Sequence, residues 1–214
     1  MLMFITHPSS RYSVAEEVQM ALEGGCKWIQ LRLKDATDEE FRQTALEIIP
    51  MCQEHSAFLV FDDRVELAME MGVHGVHLGK DDMPPLQARE IMGAEAIIGV
   101  TANTAEDILR FKGMDVDYVG LGPYRTTTTK QKLSPVLGAE GTNAVVKAVR
   151  EADMLLPIVS IGGLTIDDVD TVMGTGVNGI AVSGAIINAP DPVKATADFL
   201  ASLEKHKPTG KYDQ

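Results

Sequence analysis

Gln30, Arg32 and Lys34 alternate with Leu31 and Leu33 along one short stretch. On a strand, alternate side chains share a face. An amide, a guanidinium and an ammonium therefore project together, while Ile29, Leu31 and Leu33 face the other way. Neither cation can be buried without an anionic partner. Two acidic clusters, Asp62-Asp63-Arg64 and Gly79-Lys80-Asp81-Asp82, end other apolar segments. Carboxylates on neighbouring strand ends can converge on one cation, and hard oxygen ligands with room for water suit Mg²⁺. Taken singly, each Asp is explained as a helix cap and the alternating strand as a solvated edge. Taken together, the acids and cations suit a magnesium-bound diphosphate.

A second set of residues suits phosphate. The loop after Gly122-Pro123 carries Arg125, Thr126, Thr127, Thr128, Thr129 and Lys130, whose hydroxyls and cations offer donors to phosphate oxygens. Two further segments end in Gly162-Gly163 and Ser183-Gly184, where glycine lets backbone N–H groups approach an anion. The histidines read as structural. His74 and His77 are three apart on a strand and so point to opposite faces, while His7, His55 and His206 have no partners at ligand spacing. Lys34 as a Schiff-base lysine is disfavoured by Arg32 beside it and by the acids.

These residues need a frame that brings strand ends together. Short apolar runs alternate with amphipathic stretches throughout. Strands are expected at 2–6, 28–33, 58–61, 73–78, 96–100, 118–121, 157–161 and 179–182. Helices are expected after each, with capping boxes at Ser13/Glu16 and Thr37/Glu40. A long polar loop, 123–141, should precede a helix from Thr142. Eight β–α units imply a parallel (β/α)₈ TIM barrel, with chemistry at the strand C-termini and a phosphate after strands seven and eight. A doubly wound sheet is disfavoured, because the first strand carries no GxGxxG turn. The expected domain is one catalytic barrel over residues 1–204, followed by a flexible polar tail, 205–214.

Composition narrows the function class. A formal net charge of -12 argues against nucleic-acid binding, and no apolar run approaches the length of a membrane span. Cys26 and Cys52 have no metal spacing and form no disulfide framework, which makes the reducing cytoplasm the default location. Small-molecule partners are expected; the oligomeric state, a homo-oligomer included, stays open.

With these motifs assembled, the chain resembles the thiamine-phosphate synthase (thiamine-phosphate pyrophosphorylase) family from Phe4 to Leu200. The resemblance rests on Gln30-x-Arg32-x-Lys34, Asp62-Asp63-Arg64, Gly75-Val76-His77-Leu78-Gly79-x-Asp81-Asp82 and Ile98-Gly99-Val100-Thr101. It extends through Thr127-x-Thr129-Lys130, Ile161-Gly162-Gly163 and Gly179-Ile180-Ala181-Val182. It implies a Mg²⁺-dependent transferase that joins 4-amino-5-hydroxymethyl-2-methylpyrimidine diphosphate to 4-methyl-5-(2-hydroxyethyl)thiazole phosphate. The products are thiamine phosphate and pyrophosphate, formed by a dissociative path. Asp63 and Asp82 would be metal ligands. The stretch Gln30, Leu31, Arg32, Leu33, Lys34, with Lys130, would hold the diphosphate, and Arg32, Lys34 and Lys130 would act in catalysis. Asp62 and Thr101 would meet the pyrimidine. Thr127, Thr128, Thr129, Gly162, Gly163, Ser183 and Gly184 would hold the thiazole phosphate.

Asp62, Lys80, Thr101, Thr126 and Gly184 depart from the residues common in that family, which are Asn, Gln, Ser, Pro and Ser. The alternatives are a thiazole tautomerase-like barrel, which has no use for the acids and the threonine loop, and a non-catalytic barrel that binds thiamine precursors.

Overall fold

Leu2–Ile5 forms β1, and its alternation sets the pattern for the whole chain: Leu2 and Phe4 pack outward under helices, Met3 and Ile5 inward. Successive units are α1 (Val14–Glu23), β2 (Trp28–Leu31), α2 (Asp38–Glu54), β3 (Phe58–Asp62), α3 (Val65–Met71), β4 (Gly75–Leu78) and α4 (Pro85–Met92). There follow β5 (Ile97–Ala102), α5 (Ala105–Leu109), β6 (Tyr118–Leu121), α6 (Gly138–Glu151), β7 (Ile158–Ile161), α7 (Val169–Met173), β8 (Gly179–Val182), α8 (Gly184–Ile187) and α9 (Pro192–Glu204). This computed structural model describes residues 1–126 and 135–206. The strands pair in parallel and in chain order, and β8 closes back on β1. The expected TIM barrel is the observed fold.

The helix starts follow local chemistry. At α1, Ser13 N–H donates to Glu16 Oε2 at 2.7 Å, and Glu16 N–H returns to Ser13 Oγ. Thr37 and Glu40 do the same for α2. Each box satisfies donors that a helix end leaves unpaired. Among the described residues no helix is long and apolar enough to cross a membrane.

Several element bounds differ from expectation; β4 begins at Gly75 rather than at residue 73, and β5 runs on to Ala102 rather than stopping at residue 100. β2 ends at Leu31 rather than Leu33, because the hydroxyl of Thr6 takes over from the ladder: it accepts from Arg32 N–H at 2.8 Å and donates to Arg32 O at 3.2 Å. α6 begins at Gly138 rather than Thr142; Gly138 has φ +58 and its carbonyl accepts from Thr142 Oγ1, so two glycines that look like loop residues lie in the first turn. A 3-10 turn, Ile166–Asp168, precedes α7. The short α8 after β8 was not expected at all. Of the expected tail, Lys205 and His206 are described, with His206 Nε2 2.7 Å from Asp170 Oδ1, and the rest lies outside the described residues.

The barrel floor is polar where its strands end. By alternation Gln30, Asp62, His77 and Thr101 point inward, and the register sets Ile5 beside Gln30 and Asp62 beside His77. One further acid is buried at this end. Glu17, on α1, is wholly inaccessible and accepts the N–H of His7 at 3.0 Å, which ties down the loop after β1. Its other oxygen, Oε1, has no partner among the described residues, and burial pushes its pKa up to about 7. The folded-state pKa therefore lies above the unfolded value, so stability is full below the unfolded pKa of 4.5 and falls as pH rises through about 7. Glu17→Gln should stabilise the protein at pH 8 by about 1–3 kcal/mol and by almost nothing at pH 4.5, measured by chemical denaturation. A gain that does not change with pH would refute the assignment.

Candidate active site

A cavity of about 540 Å³ opens at the C-terminal end of the barrel. Gln30, Arg32 and Lys34 all line it, although the two cations lie past the end of β2. The bridging hydroxyl of Thr6 continues the inward alternation beyond the last ladder bond. The side chains of Leu31 and Leu33 go the other way, Leu31 into the core and Leu33 packed against it. Neither Leu31 nor Leu33 is among the residues that line the cavity.

Asp62 is where these groups meet. Gln30 Nε2 donates to its Oδ1 at 3.0 Å, while Arg32 Nε and Lys34 Nζ stand 3.6 and 3.8 Å from its Oδ2. Both ion pairs are longer than a hydrogen bond, so neither cation is saturated. Burial dominates the electrostatics. It pushes the Asp62 carboxyl up to about 6, against the pull of Lys34 and Arg32 and with the further push of Asp63 and Asp82.

The expected metal pair is held by main-chain geometry. Asp63 has φ +66, a left-handed conformation uncommon outside glycine and tolerated by Asp. Its N–H donates to His77 O at 2.9 Å, and one carboxylate oxygen is 3.4 Å from Arg64 Nη1. Arg64 is itself engaged by Asp38 and by the carbonyl of Ala36, and it lies over the ring of Phe41. Asp82 lines the cavity and accepts Gly79 N–H at 2.6 Å. Burial, then the negative charge of Asp82, raise the Asp63 pKa. Among the described residues no three His, Cys, Asp or Glu side chains group as a ready-made metal cage. Mg²⁺ commonly uses one or two carboxylates with substrate phosphate and water; Asp82 lines the cavity, whereas Asp63 is not among its lining residues but stands near enough to Asp82 for the two charges to repel. Lys80 pairs instead with Asp107.

The opposite wall is open main chain. Gly162 and Gly163, at φ +105 and +68, follow β7, and Ser183-Gly184 follows β8 into α8; all four line the cavity. Ser183 Oγ is buried with no partner among the described residues, an orphan suited to a phosphate oxygen. The loop after β6 is anchored here: Arg125 forms a forked pair with Asp168, and its N–H donates to Gly162 O at 2.9 Å. Thr126 reaches the cavity. Thr127, Thr128, Thr129 and Lys130 lie outside the described residues.

Two histidines read as structural nevertheless stand in the cavity lining. His74 accepts Leu59 N–H on the far side of β4, as opposite faces require, but His77 lies in the cavity wall hydrogen-bonded to Thr101, and His7 lines the rim. Asn103 and Asn188 line it as well. Spacing could not find these side chains, since each reaches the site by tertiary placement; only the inward parity of His77 was readable.

The chain is similar to known proteins along nearly its whole length. The sequence profile described as thiamine monophosphate synthase matches residues 2–186. The thiamine-phosphate synthase of Bacteroides fragilis (strain YCH46) is 53% identical over 199 residues, covering 93% of this chain and 98% of that relative. That of Bacteroides thetaiotaomicron is also 53% identical, covering 93% and 95%. The solved thiamine phosphate pyrophosphorylase from Pyrococcus furiosus superposes with a TM-score of 0.85 at 33% identity, covering 97% of this chain and 96% of its own. On this full-length likeness, carried by a closed barrel with its cations and acids at one mouth, the chain is a transferase of thiamine biosynthesis and belongs to the thiamine monophosphate synthase family.

Proposed function

We propose that this barrel joins 4-amino-5-hydroxymethyl-2-methylpyrimidine diphosphate to 4-methyl-5-(2-hydroxyethyl)thiazole phosphate with Mg²⁺, releasing pyrophosphate and forming thiamine phosphate. The observation that carries it is the convergence of Gln30, Arg32 and Lys34 on Asp62 in the same cavity mouth as Asp82. The diphosphate lies against Arg32 and Lys34, with Lys130 contributed by the loop after β6. Asp63 and Asp82 hold the Mg²⁺. A bound Mg²⁺ would neutralise negative charge on the departing diphosphate.

The side chains account for the remainder. The bond between the pyrimidine methylene carbon and the diphosphate oxygen breaks, and its electron pair leaves on oxygen. Arg32, Lys34 and Lys130 stabilise that charge in a partly water-excluded site, where preorganised electrostatics are strongest. The aminopyrimidine carries the methylene cation, and the thiazole nitrogen attacks it with its lone pair. No proton has to be removed for that attack, so a site without a general base on the thiazole side is sufficient. Ser183, Gly184 and Gly163, with Thr127, Thr128 and Thr129, hold the thiazole phosphate. Thr101 and Asp62 face the pyrimidine.

Asp82→Ala and Asp63→Ala should each lower turnover on the order of 100-fold or more while the circular dichroism spectrum is unchanged; wild-type rates in either variant would overturn the metal assignment. Pyrophosphate release should require both substrates and stop on chelation of Mg²⁺. Release from the pyrimidine diphosphate without any thiamine phosphate formed, or product formation in excess chelator, would sink the reading.

Asp62 adds a pH signature. Its folded pKa of about 6 lies above the ordinary 3.8, so its ionisation costs the substrate-free protein stability as pH rises through 6. Asp62→Asn should gain about 1–3 kcal/mol at pH 8 and nothing near pH 4 in equilibrium unfolding. A loss at pH 8 would mean that the ion pairs outweigh burial.

A further inference from the structure

Three side chains from three adjacent strands form a hydrogen-bonded chain that ends in the cavity wall at Thr101. His77 on β4 has Nδ1 2.9 Å from the Tyr118 hydroxyl and Nε2 3.0 Å from Thr101 Oγ1. Tyr118 belongs to β6 and is buried inside the barrel; Thr101 belongs to β5 and lines the cavity beside His77. Room for both rings comes from absent side chains. A Cβ on Gly99 would stand within the Tyr118 ring, and one on Gly120 would lie 2.9 Å from His77 Cε1. Trp28 packs edge-on against Tyr118 with centroids 4.7 Å apart, so the phenol has little freedom to turn.

Burial holds the Tyr118 phenol protonated, pushing its pKa well above the ordinary value. Among the described residues the one acceptor within hydrogen-bond reach of that hydroxyl is His77 Nδ1. Leaving a buried O–H unmade costs about 1–3 kcal/mol, so the phenol donates to Nδ1. A ring nitrogen that accepts carries no hydrogen, which places the imidazole proton on Nε2. Nε2–H then donates to Thr101 Oγ1, and the hydroxyl proton of Thr101 is turned toward the cavity. Were the chain reversed, the phenol proton would have no acceptor and Thr101 would present a lone pair instead.

We propose that Tyr118, acting through His77, is a positioning residue that fixes Thr101 as a hydrogen-bond donor into the cavity, so that the site selects a substrate with an acceptor atom there, a ring nitrogen of an aminopyrimidine, over one that presents a C–H or N–H. The proposal rests on the reading that Thr101 faces the pyrimidine. Thr101 is the group that touches substrate; His77 and Tyr118 act one and two hydrogen bonds behind it. A neutral ring nitrogen read by a single hydroxyl is worth roughly tenfold in affinity.

The test has two arms. Nitrogen NMR of the whole ¹⁵N-histidine-labelled protein, with His77 assigned by its absence from His77→Gln, should show Nε2 protonated and Nδ1 bare; the opposite tautomer overturns the proposal, with no variant at Tyr118 having to fold. The second arm compares KM and kcat for the pyrimidine diphosphate and for its two analogues in which one ring nitrogen is replaced by C–H. Wild type should bind one analogue roughly tenfold more weakly than the parent. Thr101→Val should lose that discrimination, Thr101→Ser should keep it, and Tyr118→Phe should reduce it while shifting His77 toward a tautomer mixture. Equal discrimination in wild type, Thr101→Val and Tyr118→Phe overturns the proposal. A wild-type protein that fails to make thiamine phosphate would instead refute the function proposed above, and the tautomer measurement would still decide the direction of the chain.

Discussion

A carboxylate held inside the barrel beneath two incompletely neutralised cations is the constraint to which the rest of the mouth answers. Asp62 is nearly buried and gains one hydrogen bond from Gln30, yet Arg32 and Lys34 stop 3.6 and 3.8 Å away. Closer contact would give each cation a saturated partner and leave nothing for an incoming anion. Removal of Asp62 would leave two like charges side by side at the same rim. The intermediate spacing keeps both cations positioned and still available, which is the electrostatic state that an anion-binding mouth needs before its ligand arrives.

That spacing depends on main-chain devices. Thr6 at the end of β1 bonds both backbone groups of Arg32, so the alternation of β2 is carried one residue past the sheet. The left-handed turn at Asp63 and its bond to His77 O swing the chain off β3 immediately after Asp62. Gly79 N–H fixes the Asp82 carboxylate within a tight loop after β4. None of these contacts touches a substrate. Each trades some local freedom for a defined direction of a charged group, a cost of about 1–2 kcal/mol per ordered residue that the folded barrel absorbs.

The parts legible in the sequence are those governed by local periodicity. The strand count, the capping boxes at Ser13 and Thr37, and the shared face of Gln30, Arg32 and Lys34 all follow from residues a few positions apart, and the structure has them. The parts that were missed depend on contacts between distant segments. The true end of β2 is set by a hydroxyl 26 residues away. The start of α6 at Gly138 and the short α8 lack the polar cap that marks a helix, since Leu137 and Ser183 make no side-chain cap bond. His77 reads as structural until β5 and β6 are brought beside it, and Asn188 comes into view only when the chain after β8 folds over the mouth. Side chains that reach a site by closure of the ring leave no periodic trace.

The two missing side chains at Gly99 and Gly120 have a consequence for how this lineage can drift. The slot they leave is filled by the rings of Tyr118 and His77. Any larger residue at either glycine has to be matched by a smaller one across the strand, and that exchange would also dismantle the aromatic chain behind Thr101. Four positions on three consecutive strands are thereby bound into a single evolutionary character, accessible to change by concerted replacement and closed to stepwise substitution.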